Sequence, residues 1–197
     1  MNPPPPVCGL VLAGGRSARM GSDKATLVHP DGRTLVKRAC DLLKEAGCGL
    51  VAVSLRLDQE VPPGLDDIVI VRDGEGESTG PMAGIVSGMR LQPDADWLVI
   101  ACDLPRLDAA TLSHLIRSKR ADEAFLSYRS EFDELPEPLC AIYSPLALSA
   151  IEKAVAEDMR CPRKILIRGN CRLLEPVTPR ALDNANTPED WQTATTP

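Results

Sequence analysis

Short apolar runs alternate with stretches of helical spacing along most of this sequence. Apolar runs of strand length predict buried strands, and apolar residues three and four positions apart predict helices. The predicted strands are 7–13, 50–55, 68–71, 97–101, 124–128, 139–143 and 171–177, and the predicted helices are 34–46, 81–91, 107–117 and 146–155. Residues 165–167 fit either a helix or a strand. Such alternation predicts right-handed crossovers and an α/β fold whose mostly parallel sheet is covered by helices on both faces.

Distinctive glycine or acidic residues follow three of the predicted strands. A glycine loop begins at Gly14 after the first strand, Asp73 follows the third, and Asp103 follows the fourth. Ligands of parallel α/β folds bind at the carboxyl ends of the strands. We therefore expect these three positions to belong to one binding site. The polar, proline-containing stretch 129–138 is predicted to be a mobile surface flap.

Length and composition predict one globular domain, 7–192, preceded by a flexible proline-rich tail, 1–6. A net charge of −6 and an aromatic content of 3% argue against a nucleic-acid partner. Because no apolar run approaches ~18 residues, we expect no membrane span. The seven cysteines contain no CxxC pair, which favours buried thiols in a reducing compartment. The start of the sequence lacks the basic region of a signal peptide, so we expect a cytoplasmic location.

The loop after the first strand combines adjacent glycines, Gly14 and Gly15, with the basic residues Arg16, Arg19 and Lys24. Its spacing matches neither the dinucleotide-binding pattern nor the P-loop pattern. Glycines nevertheless let successive backbone N–H groups approach an anion, and the cations suit a triphosphate whose pyrophosphate must leave. The alternative is a tight strand-to-helix turn with solvated basic side chains, and spacing alone leaves both interpretations open.

The segment LAGGRSARMGSDKA at 12–25 resembles the signature of the molybdenum cofactor guanylyltransferase family, the MobA-like nucleotidyltransferases. Later segments resemble further motifs of that family in the same order: Asp73, GPMAGI at 80–85, ACDLP at 101–105, PLCAIY at 138–143 and NANTPED at 184–190. The resemblance runs over about residues 7–191, which is nearly the whole chain.

This resemblance implies a three-layer, Rossmann-like nucleotidyltransferase fold and a Mg²⁺-dependent reaction. In that reaction GMP passes from GTP to the phosphate of molybdopterin or its molybdenum form, and pyrophosphate is released. The family's other partners would be cofactor-biosynthesis proteins and apo-molybdoenzymes. Such phosphate chemistry needs a metal, cations for the leaving group and accurate positioning.

The resemblance also assigns roles to individual residues of the nucleotide site. Arg19 and Lys24 would lie against the phosphates, and Asp103 would hold Mg²⁺. Asp73 would contact the nucleotide or the metal shell, although a simple turn or cap role fits it equally well. The residues implied to contact the nucleotide itself are Leu12, Ala13, Gly14 and Gly15.

The choice of nucleotide depends on few residues. Cytidylyltransferase relatives carry LAAG where this chain has Leu12-Ala13-Gly14-Gly15, so the paired glycines favour guanine, and cytosine is the alternative. Ser54 stands where the guanylyltransferases often have asparagine, which puts a base or ribose contact from that position in doubt. Two other functions are considered: transfer to another acceptor such as a sugar phosphate, and non-catalytic nucleotide binding.

The acceptor half of the site is predicted near the chain's end. Asn184 and Asn186 lie in the family's last motif and could meet the second substrate or the metal, or they could cap the final helix. Arg163 and Lys164 belong to a basic group with Arg160 and Arg168 that would share one face of a helix. That face could bind a pterin phosphate or simply be solvated.

Overall fold

A computed structural model describes residues 6–15, 24–73, 80–185 and 187–195. The strands are β1 (Val7–Leu12), β2 (Leu50–Leu55), β3 (Val69–Arg72), β4 (Asp96–Ala101), β5 (Phe125–Arg129), β6 (Pro136–Tyr143) and β7 (Arg172–Leu174). The helices are α1 (Leu35–Glu45), α2 (Pro81–Leu91), α3 (Ala109–Ser118), α4 (Leu148–Ala156), α5 (Pro162–Arg168) and α6 (Pro188–Thr195), with short 3₁₀ helices at Lys24–Thr26 and Pro145–Ala147.

The described strands form one sheet in the order β3-β2-β1-β4-β6-β5-β7. Neighbouring strands are parallel except around β6, which runs antiparallel to both β4 and β5. The prediction of a mostly parallel α/β sheet is therefore confirmed. The reversal of β6 was not predicted. It follows from the short connection 130–135, because parallel neighbours need a crossover of a dozen or more residues.

Side-chain caps stabilise the first turns of two helices. The Thr34 side chain accepts from the backbone N–H of Lys37, and Asp108 accepts from that of Thr111. These caps satisfy N–H groups that a helix start leaves unpaired. Residues 165–167, which the sequence left open, lie in α5. Arg160 precedes α5 and pairs with Asp158, so the predicted four-residue basic face is incomplete.

Two apolar cores lie on opposite faces of the sheet because adjacent residues of a strand point to opposite sides. In β1, Val11 packs in the core beneath α1 and α3, whereas Leu10 packs in the core beneath α2. Five of the seven cysteines are buried, and none of the seven, all within the described part of the chain, forms a disulfide. Among the described residues, no helix is long and apolar enough to cross a membrane.

Candidate active site

The site lies at one edge of the sheet, where β1, β3 and β4 end. Leu12 ends β1, Asp73 follows β3, and Asp103 lies just beyond β4. Parallel strands place their carboxyl ends at the same edge, and the register pairs Leu12 with Ala101 of β4. The backbone N–H of Cys102 donates to the carbonyl of Leu12 over 3.2 Å. The three strand ends that the sequence singled out therefore meet, as predicted.

Lys24 and Asp103 form an ion pair in this site. The Lys24 Nζ lies 2.8 Å from Asp103 Oδ2, and the two side chains are 14% and 20% exposed. Both partners remain accessible to a ligand while most solvent is excluded, which strengthens their interaction relative to a surface pair. Beside them lies a cavity of about 160 Å³ lined by Leu12, Ala13, Gly15, Lys24, Ala25, Pro81, Ala101, Cys102, Asp103 and Leu139.

A smaller neighbouring cavity, of about 80 Å³, contains Asp73. Its lining residues are Leu12, Gly14, Gly15, Ser54, Asp73, Gly80 and Pro81. Ser54 Oγ donates to Asp73 Oδ1 over 2.6 Å. Burial raises the pKa of Asp73, while the hydrogen bond from Ser54 and the charge of Arg56 oppose that rise. Ser54 therefore orients an acidic side chain at the cavity wall.

Two glycines shape this smaller cavity. A Cβ added to Gly14 would lie 3.4 Å from Asp73 Oδ2 and 3.4 Å from Arg56 Cγ, whereas at Gly15 it would meet no atom within 4 Å. Gly80 precedes α2 with φ +86°, in the left-handed region that L side chains rarely adopt. A methyl group at Gly14 would thus occupy the side of the cavity that Asp73 and Arg56 define.

A polar network behind the glycine loop was missed by the sequence analysis. Arg56 Nη1 donates to the carbonyls of Gly14 over 2.7 Å and Gly15 over 3.3 Å. Buried Gln59 donates to the carbonyl of Ala13 over 3.0 Å. These bonds fix the carbonyls of the loop in place. The position of Arg56 and Gln59 just beyond the end of β2 was the only sign of their role in the sequence. Their bonds to the glycine loop join residues that are distant in the chain, and sequence patterns do not reveal such contacts.

A larger cavity, of about 450 Å³, lies near Asp103. It is lined by Ser130, Phe132, Asp133, Glu137, Arg163, Arg180, Leu182, Asp183, Asn184, Asp190, Thr193 and Ala194. Ala185, next to Asn184, donates its backbone N–H to the carbonyl of Asp103 over 3.1 Å. Two of the predicted acceptor residues, Arg163 and Asn184, thus line one cavity beside the ion pair.

The remaining predicted residues are not among the described residues that line this cavity. Lys164 is exposed on α5 and is not one of the described residues that line it. Arg16, Arg19 and Asn186 lie outside the described residues. The cap of α6 comes from Thr187, whose hydroxyl accepts from the backbone N–H of Asp190.

Arg163 joins two acidic side chains in the larger cavity. Its Nη1 lies 2.7 Å from Asp133 Oδ2, and its Nη2 lies 3.6 Å from Glu137 Oε2. Burial raises the pKa of Glu137, Arg163 opposes this rise, and the charges of Asp133 and Asp103 add to it. Glu137 and the exposed Phe132 were not predicted as site residues, since both belong to the stretch 129–138 that was predicted to be a flap.

Residues 9–173 match the sequence profile of the MobA-like NTP transferase domain, which is most of the chain. The chain belongs to the MobA-like NTP transferase family. This membership makes the domain a nucleotidyltransferase, as predicted. The glycine loop, Asp73 and Asp103 all lie within the matched residues.

Two relatives are similar in sequence to most of this chain. The chain is 38% identical over 186 residues to a molybdenum cofactor biosynthesis bifunctional protein of Synechocystis sp. (strain PCC 6803), covering 94% of this chain and 53% of that relative. The chain therefore spans about half the length of that relative. It is 32% identical over 165 residues to a molybdenum cofactor guanylyltransferase of Pseudomonas putida (strain GB-1), covering 83% of this chain and 84% of that one.

Solved structures share the MobA-like fold. One is molybdopterin-guanine dinucleotide biosynthesis protein A from Archaeoglobus fulgidus, with a TM-score of 0.75 and 24% identity. The match covers 95% of this chain and 96% of that chain. This likeness confirms the three-layer, Rossmann-like nucleotidyltransferase fold.

Proposed function

We propose that this chain transfers GMP from GTP to the terminal phosphate of molybdopterin, or its molybdenum form, and releases pyrophosphate. The observation that carries the proposal is the Lys24–Asp103 ion pair, 2.8 Å long. It lies beside the two small cavities at the glycine loop, and the backbone of Asp103 is bonded to Ala185 at the edge of the larger cavity. A donor nucleotide and an acceptor would therefore meet at this pair. The names of the two curated relatives support the same chemistry.

Asp103 fits a Mg²⁺ ion. Magnesium is bound through one or two carboxylates and completes its shell with phosphate oxygens and water. Within the described ranges, no group of three or more metal-ligating side chains forms an all-protein site. A single accessible carboxylate at a strand end suits that mode of binding. When bound there, the ion would neutralise charge on the transferred phosphoryl group and the leaving pyrophosphate.

The protein's own groups position the reacting phosphates. An oxygen of the acceptor phosphate forms a bond to the α-phosphorus of GTP, and the bond from that phosphorus to the β-phosphate oxygen breaks. Lys24 Nζ, already held beside Asp103, lies where it can neutralise the phosphates as charge develops. Arg56 and Gln59 bond the carbonyls of Gly14 and Ala13, which fixes the backbone of the glycine loop beside the small cavities.

Guanine is the base that the smaller cavity favours. Gly14 leaves open the space beside Asp73 Oδ2 and Arg56, which an alanine methyl would occupy at 3.4 Å from each. Asp73 can accept hydrogen bonds from the N–H groups of a guanine or from the hydroxyl groups of a ribose. Ser54 acts here by orienting Asp73 and not through the base. Cytosine remains the alternative that the test below addresses.

The larger cavity supplies the acceptor site in this proposal. Arg163 provides a guanidinium for an anionic group, and Asn184 provides an amide next to the backbone that contacts Asp103. Cofactor-biosynthesis proteins and apo-molybdoenzymes would then be partners that deliver and receive the cofactor. Five buried thiols and the lack of disulfides among the seven cysteines support a cytoplasmic location.

Pyrophosphate release tests the proposal. Purified chain is incubated with Mg²⁺ and either GTP or CTP, and molybdopterin is then added. We expect release with GTP, and we expect Asp103→Ala to abolish it while circular dichroism shows the fold unchanged. Asp122→Ala, at an exposed position before β5 on the opposite edge of the sheet, is the matched control and should keep full activity. Near-normal turnover of Asp103→Ala, a preference for CTP, or transfer only to a sugar phosphate would contradict the proposal.

A further inference from the structure

The larger cavity contains an aromatic ring and a shielded carboxylate that the proposed phosphate chemistry does not use. Phe132 is one of only two phenylalanines in the chain, and it is 84% exposed. Glu137 has only 16% of its side chain exposed. Phe132 lies in the connection 130–135 between β5 and β6, and Glu137 lies at the start of β6. Both residues are at the site edge of the sheet because β5 runs in the direction of β4.

Glu137 is poorly matched to an anionic part of the acceptor. Its charge already interacts unfavourably with those of Asp133 and Asp103, and a nearby phosphate would add to that repulsion. Its contact with Arg163 spans 3.6 Å, longer than a hydrogen bond, whereas Arg163 is held closely by Asp133 at 2.7 Å. Glu137 can therefore turn to a ligand without releasing Arg163.

A carboxylate that is shielded from water is stabilised when a ligand donates hydrogen bonds to it, for example from N–H groups. The pyrimidine half of a pterin presents two such donors side by side, the exocyclic 2-amino group and the adjacent ring N–H. Two parallel N–H donors match the two oxygens of one carboxylate, and the charge of the carboxylate strengthens both bonds. A flat heterocycle also suits a nearby aromatic face.

We propose that Glu137 recognises the amino-pyrimidinone edge of the pterin ring of the acceptor, and that Phe132 packs against the ring face. This inference rests on the proposed function, since it assigns the ring end of the same acceptor. The acceptor's phosphate then points toward Lys24 and Asp103, and its ring lies in the larger cavity. Arg163 stays paired with Asp133.

Two fluorescent probes isolate ring recognition from phosphate chemistry. 6-Hydroxymethylpterin has the 2-amino group, and 6-hydroxymethyllumazine has an oxygen in its place. Each is titrated into the full chain and followed by its own fluorescence. We expect the wild type to bind the pterin about tenfold or more tightly than the lumazine, because losing one bond to a charged group leaves Glu137 partly unpaired.

Variants of the cavity assign the preference to residues. Glu137→Gln keeps the shape but should bring the pterin-to-lumazine ratio close to one. Phe132→Ala should weaken both probes about tenfold, and Phe132→Tyr should restore binding. Leu146→Ala is the control for loss of an exposed apolar side chain outside the cavity.

The outcomes separate this inference from the proposed function. Equal binding of the two probes by the wild type, or an unchanged ratio in Glu137→Gln, would overturn the role of Glu137 even if GMP transfer is normal. A pterin preference that depends on Glu137, without any GMP transfer, would support ring recognition and contradict the proposed reaction. In the transfer assay, Glu137→Gln should raise the KM for molybdopterin and leave the KM for GTP unchanged.

Discussion

Replacing Gly84 by alanine tests how tightly α2 is packed behind the small cavity that contains Asp73. Gly84 lies inside α2, where the helix crosses the ends of β1 and β2. An added Cβ would lie 2.3 Å from Ser54 Oγ, 3.0 Å from Ser54 Cβ and 2.8 Å from Leu12 Cδ2. Contacts this short cannot persist, so α2 or the Ser54 side chain must move. Either shift disturbs the hydrogen bond that orients Asp73.

Two opposing terms set the expected size of the effect. Alanine favours a helix interior over glycine by about 1 kcal/mol. Overpacking a core costs about 1–3 kcal/mol, and the rigid Ser54 Cβ places this site toward the upper end of that range. We therefore expect Gly84→Ala to destabilise the protein by about 1–2 kcal/mol, which lowers Tm by about 2–8 °C in a domain of this size.

Gly88→Ala is the matched control, because it gains the same helix propensity on the same helix. Its Cβ would lie 2.9 Å from Leu10 Cδ2, the movable end of a leucine side chain. This variant should be neutral or slightly stabilised. Urea denaturation and thermal melting measure both variants, and titration with GTP and Mg²⁺ measures the accompanying loss of nucleotide affinity, which we expect for Gly84→Ala alone.

A second substitution tests the cause directly. Ser54→Gly removes the two Ser54 atoms, Oγ and Cβ, that crowd the new Cβ. The substitution should therefore reduce the free energy of unfolding less in the Gly84→Ala background than in the wild type. A double-mutant cycle gives this coupling energy. Equal stability of the two glycine variants, or a cycle with no coupling, would show that α2 is not packed against Ser54 as described.

Two further predictions concern the nucleotide cavity. Because burial raises the folded pKa of Asp73 above 3.8, the stability that its protonated form contributes is present below pH 3.8 and is lost as the pH rises through the folded pKa. Asp73→Asn should therefore be more stable than the wild type at pH 7 and should bind GTP more weakly. Urea denaturation curves should show that this gain in stability shrinks as the pH falls toward 3.8. A gain in stability that is constant with pH would contradict the raised pKa of Asp73. Arg56→Ala should raise the KM for GTP about tenfold with kcat nearly unchanged, because the carbonyl of Gly14 loses its charged donor, and Arg56→Lys should recover part of that loss. A fall in kcat with an unaltered KM would instead place Arg56 in the chemical step.

The sequence was informative wherever one stretch of chain determines its own structure. Apolar periodicity located most strands and helices. The rule that ligands bind at strand ends brought Asp73 and Asp103 together before any contact was known. Lys24 was predicted at the phosphates from its loop, and the structure pairs it with Asp103.

The parts that the sequence did not reveal depend on distant segments. Whether β6 runs parallel or antiparallel depends on how few residues remain for the connection once β5 and β6 are extended to their full lengths. Arg56 and Gln59 matter because of carbonyls some forty positions earlier in the chain. Glu137 looked like one charge among many in a polar stretch, and only folding places it in a cavity with Arg163.

The two halves of the site come from successive parts of the chain. Apart from Leu139, the described lining of the small cavities comes from residues 12–103, whereas the described lining of the larger cavity comes from residues 130–194. Under the proposed function, a recombination event near the end of β4 would therefore exchange acceptor selectivity without altering the half of the site that binds the donor nucleotide. Chimeras joined between Asp103 and Phe125 would transfer a new acceptor specificity to the same donor half.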